Sequence, residues 1–172
     1  MFILNRIIQR IIRPAALLRK GLLCLCLLAY MATKAQEPPP RPIAVYVNPA
    51  QGLIFGAFFQ GMSGGTIIVY PDGSRTVSGS IVAANLGYPF SPAIFEVEAN
   101  PGTLVSIMNG PDVTLTGSSG GSLTLHIGAA STGSSFISTA TPPTSNIVRI
   151  GGTLIVGSPL ANPSGSYSGT FN

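Results

Sequence analysis

The sequence predicts an all-β protein, an antiparallel β-sandwich preceded by a helical signal peptide. Three observations predict it. Beyond Ala35, short runs rich in β-branched and aromatic residues follow one another at near-regular spacing. Turn clusters such as "PDGS", "NPG", "GSSGG" and "TPPTSN" separate most of these runs. No segment in that region keeps a 3.6-residue apolar period over the ten or so residues that a helix needs.

Residues 1–35 read as the signal peptide. A long basic stretch, "MFILNRIIQRIIRPAALLRK", leads into "GLLCLCLLAYMA", an apolar core of about a dozen residues, the length of a secretory core. Thr33 and Ala35 stand at the small-residue positions needed for cleavage before Gln36. A membrane-spanning helix needs about 20 apolar residues, which makes an uncleaved anchor the weaker reading. Cys24 follows Leu23 and Cys26 follows Leu25, so neither has the small preceding residue of a lipidated cysteine. The Arg-rich, acid-free start also fits an organellar transit peptide, but the compact apolar core favours secretion. The leader therefore implies secretion, with no stable membrane span once it is cleaved.

Charge follows the same division. The 172-residue chain has a net charge of +4 and a pI near 9.4, a balance that points to nucleic acid or a membrane surface. However, Arg6, Arg10, Arg13, Arg19, Lys20 and Lys34, six of the nine basic residues, all precede Ala35. Only Arg41, Arg75 and Arg149 follow, together with all five acids: Glu37, Asp72, Glu96, Glu98 and Asp112. Without the leader the net charge is −2, and the electrostatic case for a nucleic-acid partner disappears. Both cysteines lie in the leader, so residues 36–172 have neither a disulfide nor a thiolate metal site. Packing must hold those 137 residues together, and the length suffices for one domain with its own core.

Residues 36–51 form a Pro-rich N-terminal arm that opens on "QEPPPRP", extended and solvated, and passes into "IAVYVN". There Ile43, Val45 and Val47 alternate with Ala44, Tyr46 and Asn48. The sandwich domain spans residues 52–172. Its predicted strands begin with "LIFGAFF" and, after a "GMSGG" turn, "TIIVY". "PDGS" then turns the chain into "RTVSGSIVAA", and the loop "NLGYPFSP" leads to "AIFEVEA", where Phe95 and Val97 face inward and Glu96 and Glu98 outward. "TLVSIMN", "DVTLTG", "SLTLHIG", "SSFIST", "IVRIGGTLIVG" and "SYSGTFN" complete the series. The recurring "SGGT", "GGSL" and "GGTL" read as Gly-Gly pairs that start strands.

Four segments together carry a family resemblance: the Phe55–Gly56 pair, the "GGT…PDGSR" run from Gly64 to Arg75, "SPA.F.V" from Ser91, and the terminal "G.YSGTF". Over about Gly52 to Phe171 the chain resembles the bacterial family called Domain of Unknown Function 4402. The resemblance implies a secreted or surface β-sandwich, immunoglobulin-like or pilin-like, located at the bacterial cell surface, the outer-membrane face or the extracellular space, with no established activity; no cofactor is expected. The closing motif is similar to the last strand of spore-coat-U-like pilins, which are assembled by strand donation. Members usually carry several further alternating residues after this motif, whereas here only Asn172 follows. The last strand therefore reads as either naturally short or cut short.

Signals for catalysis are weak, and the expectation is no enzyme. "GMSGG" and "GSSGG" both satisfy G-x-S-x-G around Ser63 and Ser119, but a nucleophile elbow needs a helix after it, and a β-rich run follows each. His126 is the only histidine and sits on the polar side of "SLTLHIG", which reads as a solvent-facing strand residue. Glu96 and Glu98 share a face two residues apart, and strand alternation alone accounts for them. Asp72 and Asp112 each follow a Pro in a turn without the clustered acids of a calcium loop.

Two binding readings remain. In the first, the partner is another copy or an envelope protein met by strand pairing. Ile43, Val45 and Val47 are then the candidate donated residues, and Tyr167 and Phe171 line the candidate acceptor edge. The competing explanation is that "IAVYVN" and "SYSGTFN" are this domain's own first and last strands. In the second reading, a monomeric domain binds glycans through the loop aromatics Tyr88 and Phe90.

Overall fold

The computed structural model describes residues 41–47 and 51–171. The expected signal peptide, residues 1–35, lies outside the described residues, as do 36–40, 48–50 and Asn172. Every regular element among the described residues is a strand, and every ladder between strands is antiparallel. The strands are β1 (Ala44–Val47), β2 (Phe58–Val69), β3 (Arg75–Ala83), β4 (Ala93–Glu98), β5 (Leu104–Ser106), β6 (Val113–Gly117), β7 (Ser122–Ala130), β8 (Ser135–Ile137), β9 (Asn146–Val156) and β10 (Tyr167–Ser168). The expected all-β antiparallel fold is therefore present. No helix among the described residues is long and apolar enough to cross a membrane.

The organising element is β9. Its even-numbered residues Val148, Ile150, Leu154 and Val156 are all buried, as period-2 alternation over an apolar run dictates. One edge of β9 carries β4 against Asn146–Ile150 and then β2 against Gly152–Val156. Its other edge carries β7. From β4 the sheet continues to β1, and from β7 to β6 and β10, while β3 flanks β2. The β5–β8 ribbon is separate and contributes Val105 to the core.

Because residues directly opposite one another share a face, the inner surface can be followed across strands. Ile67 of β2 lies opposite Leu154 of β9, Leu154 opposite Leu125 of β7, and Leu125 opposite Val113 of β6. The sheet curls over this row far enough for the segment after β10 to reach β4. Phe171, just past β10, touches Phe95 of β4 edge to face, with ring centroids 6.3 Å apart. Both rings pack on the core.

Besides trimming "TLVSIMN", "SSFIST" and "SYSGTFN" to two or three residues each, the structure departs from the expected strands in three places. "GMSGG" is not a turn between two strands. β2 runs through it as one 12-residue strand, with residues 61–64 set opposite the single Ser80 of β3 as a wide bulge. Gly64 has φ 65°, and a β-carbon there would strike the Val156 carbonyl, so the bulge requires glycine at this position. Second, the Gly-Gly pairs do not all start strands: Gly64–Gly65 lies in this bulge, and Gly151–Gly152 falls inside β9, where its edge passes from β4 to β2. Third, "LIFGAFF" is mostly irregular, with Ile54 bridging only to Ser91. The β2–β3 turn behaves as its composition predicts. The Ser74 hydroxyl and backbone N–H both donate to Asp72 Oδ1, which holds that carboxyl below its ordinary value.

Candidate functional site

The structure places β1 beside β4, with Ala44 opposite Glu98, Val45 opposite Val97, Tyr46 opposite Glu96 and Val47 opposite Phe95. Four residues of the segment read as an arm thus belong to the sheet. The register puts Val45 and Val47 on the same side as the buried Val97 and the half-buried Phe95. Yet Ile43, Val45 and Val47 are 46%, 57% and 60% exposed, and Tyr46 on the opposite face is 51% exposed. The apolar inner face of the sheet therefore continues onto β1, but the second layer does not extend over it. Backbone pairing with β4 is the main attachment of β1.

At the opposite end of the strand order, Tyr167 of β10 lies opposite Gly117 and Ser168 opposite Thr116. The Tyr167 hydroxyl donates to the Pro163 carbonyl at 2.6 Å, fixing the ring against the turn before β10. Tyr167 and Phe171 are both partly buried and both packed on the core. Among the described residues β10 pairs with β6 alone and β1 with β4 alone, so each has one unpaired edge. The curl that joins Phe171 to Phe95 brings these two ends of the sheet to the same side of the fold.

The loop aromatics differ in their surroundings. Tyr88 is 68% exposed. Phe90 carries the Arg75 guanidinium 4.4 Å above its ring, and the same guanidinium donates to the Phe55 carbonyl at 2.8 Å. Gly56, with φ 71°, leaves room for it: a β-carbon there would lie 2.7 Å from Arg75 Nη1. Phe90 thus clamps the loop to β3, and an aromatic surface for sugars would rest mainly on Tyr88.

The residues weighed for chemistry are dispersed. His126 Nδ1 and Asp112 Oδ1 are 2.7 Å apart across β6 and β7, with both side chains largely exposed. Ser63 sits in the β2 bulge, and Ser119 in the turn that enters β7, so each is followed by strand rather than helix. Glu96 and Glu98 lie on the outer face of β4, opposite Tyr46 and Ala44. Among the described residues no three His, Cys, Asp or Glu side chains gather as a metal site.

Sequence reasoning missed Asn162. It reads as an ordinary turn residue in "NPSGS", yet it is buried and donates from Nδ2 to the Ser122 carbonyl while Oδ1 accepts from the Gly157 N–H. It therefore ties the end of β9 to the start of β7 and fixes the segment that leads into β10. A second missed junction is Asn146, which donates to Ser138 Oγ and the Val97 carbonyl. No local signal marks either residue, because each also bonds to a strand far away in sequence, 40 residues for Asn162 and 49 for Asn146.

The fold and its open ends define a class: an antiparallel β-sandwich whose conspicuous features are strand edges rather than a cluster of reactive groups. A family model described as a domain of unknown function, DUF4402, matches residues 45–172, and the chain belongs to that family. No match was found among curated proteins or solved structures.

Proposed function

We propose that this chain is a secreted, non-catalytic structural or adhesive protein of the bacterial surface, and that it meets its partners by pairing strands. One observation carries the reading: the apolar inner face of the sheet runs onto β1, where Val45 and Val47 stay more than half exposed beside an edge that has no partner among the described residues. Exposed, uncharged edges are what natural β-proteins avoid unless the edge is used. The near-neutral charge of residues 36–172 supports a protein partner over a polyanion.

In its pilin-like form, the proposal has Ile43, Val45 and Val47 of one copy inserted along the edge formed by Tyr167 and Phe171 of the next. Donated strands exchange slowly, so polymers formed this way would resist denaturant until heated. Protein recovered from the host's envelope or medium is expected to run as a ladder in cold SDS and collapse to monomer on boiling. A clean monomer before and after mild SDS would eliminate strand donation.

A further inference from the structure

We propose that two copies of this chain associate through β1, edge to edge and antiparallel, about a two-fold axis at Val45. The proposal rests on the reading that partners are met by strand pairing, and it names the edge, the occupant and the register. Pairing through the outward edge leaves the β1–β4 ladder intact, whereas donating β1 to another copy must first break its four-residue register with β4.

Apart from its four-residue length and the Pro42 that precedes Ile43, the β1 edge lacks the usual protections against pairing. From Ile43 to Val47 there is no charge, no proline and no bulge, and the ladder with β4 is continuous. Its side chains are also complementary to themselves under a two-fold axis, the symmetry of most homodimers. With Val45 opposite Val45 of the second copy, Ile43 falls opposite Val47 of the second copy and Ala44 opposite Tyr46 of the second copy. All inward side chains then form one apolar strip continuous with Phe95 and Val97, which shields the exposed flanks of Val45 and Val47.

The outer face is complementary as well. Tyr46 of the second copy lies beside the small Ala44, whose other neighbour is Glu98. The phenol can cross Ala44 and donate its hydroxyl to the Glu98 carboxylate. A one-residue slip would set the valine face of one copy against the tyrosine face of the other, and a two-residue slip would lose paired residues at the ends. Five residues a side is well below the roughly 20–30 of a standard interface, so the association is reversible and concentration-dependent.

Thiol scanning in the full chain tests this, with Cys24→Ala and Cys26→Ala making the introduced cysteine the only one. Directly opposed strand residues have Cα atoms about 4.5–5.5 Å apart, within disulfide range, whereas diagonal neighbours are about 7–8 Å apart and outside it. Mild oxidation of Val45→Cys is expected to give a disulfide-linked dimer at least about fivefold more abundant than that of Ala44→Cys, whose own two-fold mate is diagonal. In parallel, Val45→Lys sets two cations face to face on the axis and is expected to weaken association measured by sedimentation at least about tenfold. Val45 is exposed, so this change leaves the thermal melt of the monomer in place.

Equal cross-linking of Val45→Cys and Ala44→Cys would overturn the two-fold register. If heat-sensitive, SDS-resistant polymers still formed while Val45→Cys gave no dimer, this proposal would fail and strand pairing would stand. A parent protein that stayed monomeric at every concentration would overturn this proposal and the pilin-like form, and leave strand pairing only with a different envelope protein.

Discussion

Asn162→Ala is expected to lower the unfolding free energy by about 2–4 kcal/mol, because it removes the hydrogen bonds of a buried side chain to three backbone groups and takes from the half-buried Gly157 N–H its acceptor. Oδ1 accepts from the Gly157 N–H at 2.5 Å, and Nδ2 donates to the Ser122 carbonyl at 2.5 Å and to the Ala161 carbonyl at 3.1 Å. The Asn162 backbone carbonyl also accepts from Gln60 Nε2, so β2, β7 and β9 converge on this one residue. Water cannot easily replace those bonds at a site only 5% exposed. Urea titration should show the midpoint falling with an unchanged slope, the mark of lost stability without a change in compactness. The turn that delivers Tyr167 into β10 hangs from this anchor, so the β10 end should also become the first site of proteolysis.

Ile67→Ala is expected to cost about 3–4 kcal/mol, the middle of the range for emptying a well-packed core position. Ile67 is fully buried at the β2 end of the inner row, opposite Val77 of β3 on one side and Leu154 of β9 on the other. Strands on both sides limit how far the backbone can collapse into the space, which keeps the cavity term large. The same truncation at Val45 should cost the monomer little, because more than half of that residue already faces water. Comparing the two by thermal unfolding at low protein concentration separates a residue that holds the monomer together from one whose contacts, on this account, come from a second molecule.

Much of the architecture was legible in alternation. Leu123, Leu125 and Ile127 are all buried and Thr124 and His126 point outward, as "SLTLHIG" predicts. "AIFEVEA" and "IVRIGGTLIVG" were equally readable because a strand with one dry face has no other way to arrange its side chains. What alternation does not encode is which strand lies next to which. The bulge at "GMSGG" depends on Gly64 meeting Val156, and the turn chemistry of its glycines gave the opposite reading locally. The sharing of one β9 edge between β4 and β2 is likewise a matter of tertiary pairing. The exposed edge at β1 was half legible. Periodicity grouped Ile43, Val45 and Val47 on one face, but periodicity cannot say whether anything covers that face.

In their local setting the two exposed aromatic groups show the same limit. "NLGYPFSP" presents Tyr88 and Phe90 as equivalent loop residues, and only the fold reveals that Arg75, 15 residues upstream of Phe90, reaches over one of them. The family mark at Phe55–Gly56 acquires a physical reason in the same contact, since the Phe55 carbonyl and the open α-carbon of Gly56 form the seat of that guanidinium.

The central claim, that β1 is an edge made to be paired, is tested most directly by amide hydrogen exchange across residues 43–47 as a function of protein concentration. In the isolated domain the outward-facing amides of β1 have no ladder partner among the described residues and should exchange quickly, while those directed at β4 exchange slowly. Raising the concentration is expected to slow the outward set selectively, with the amides of β3, another edge strand, unchanged. Exchange in residues 43–47 that is the same at every concentration would contradict the account.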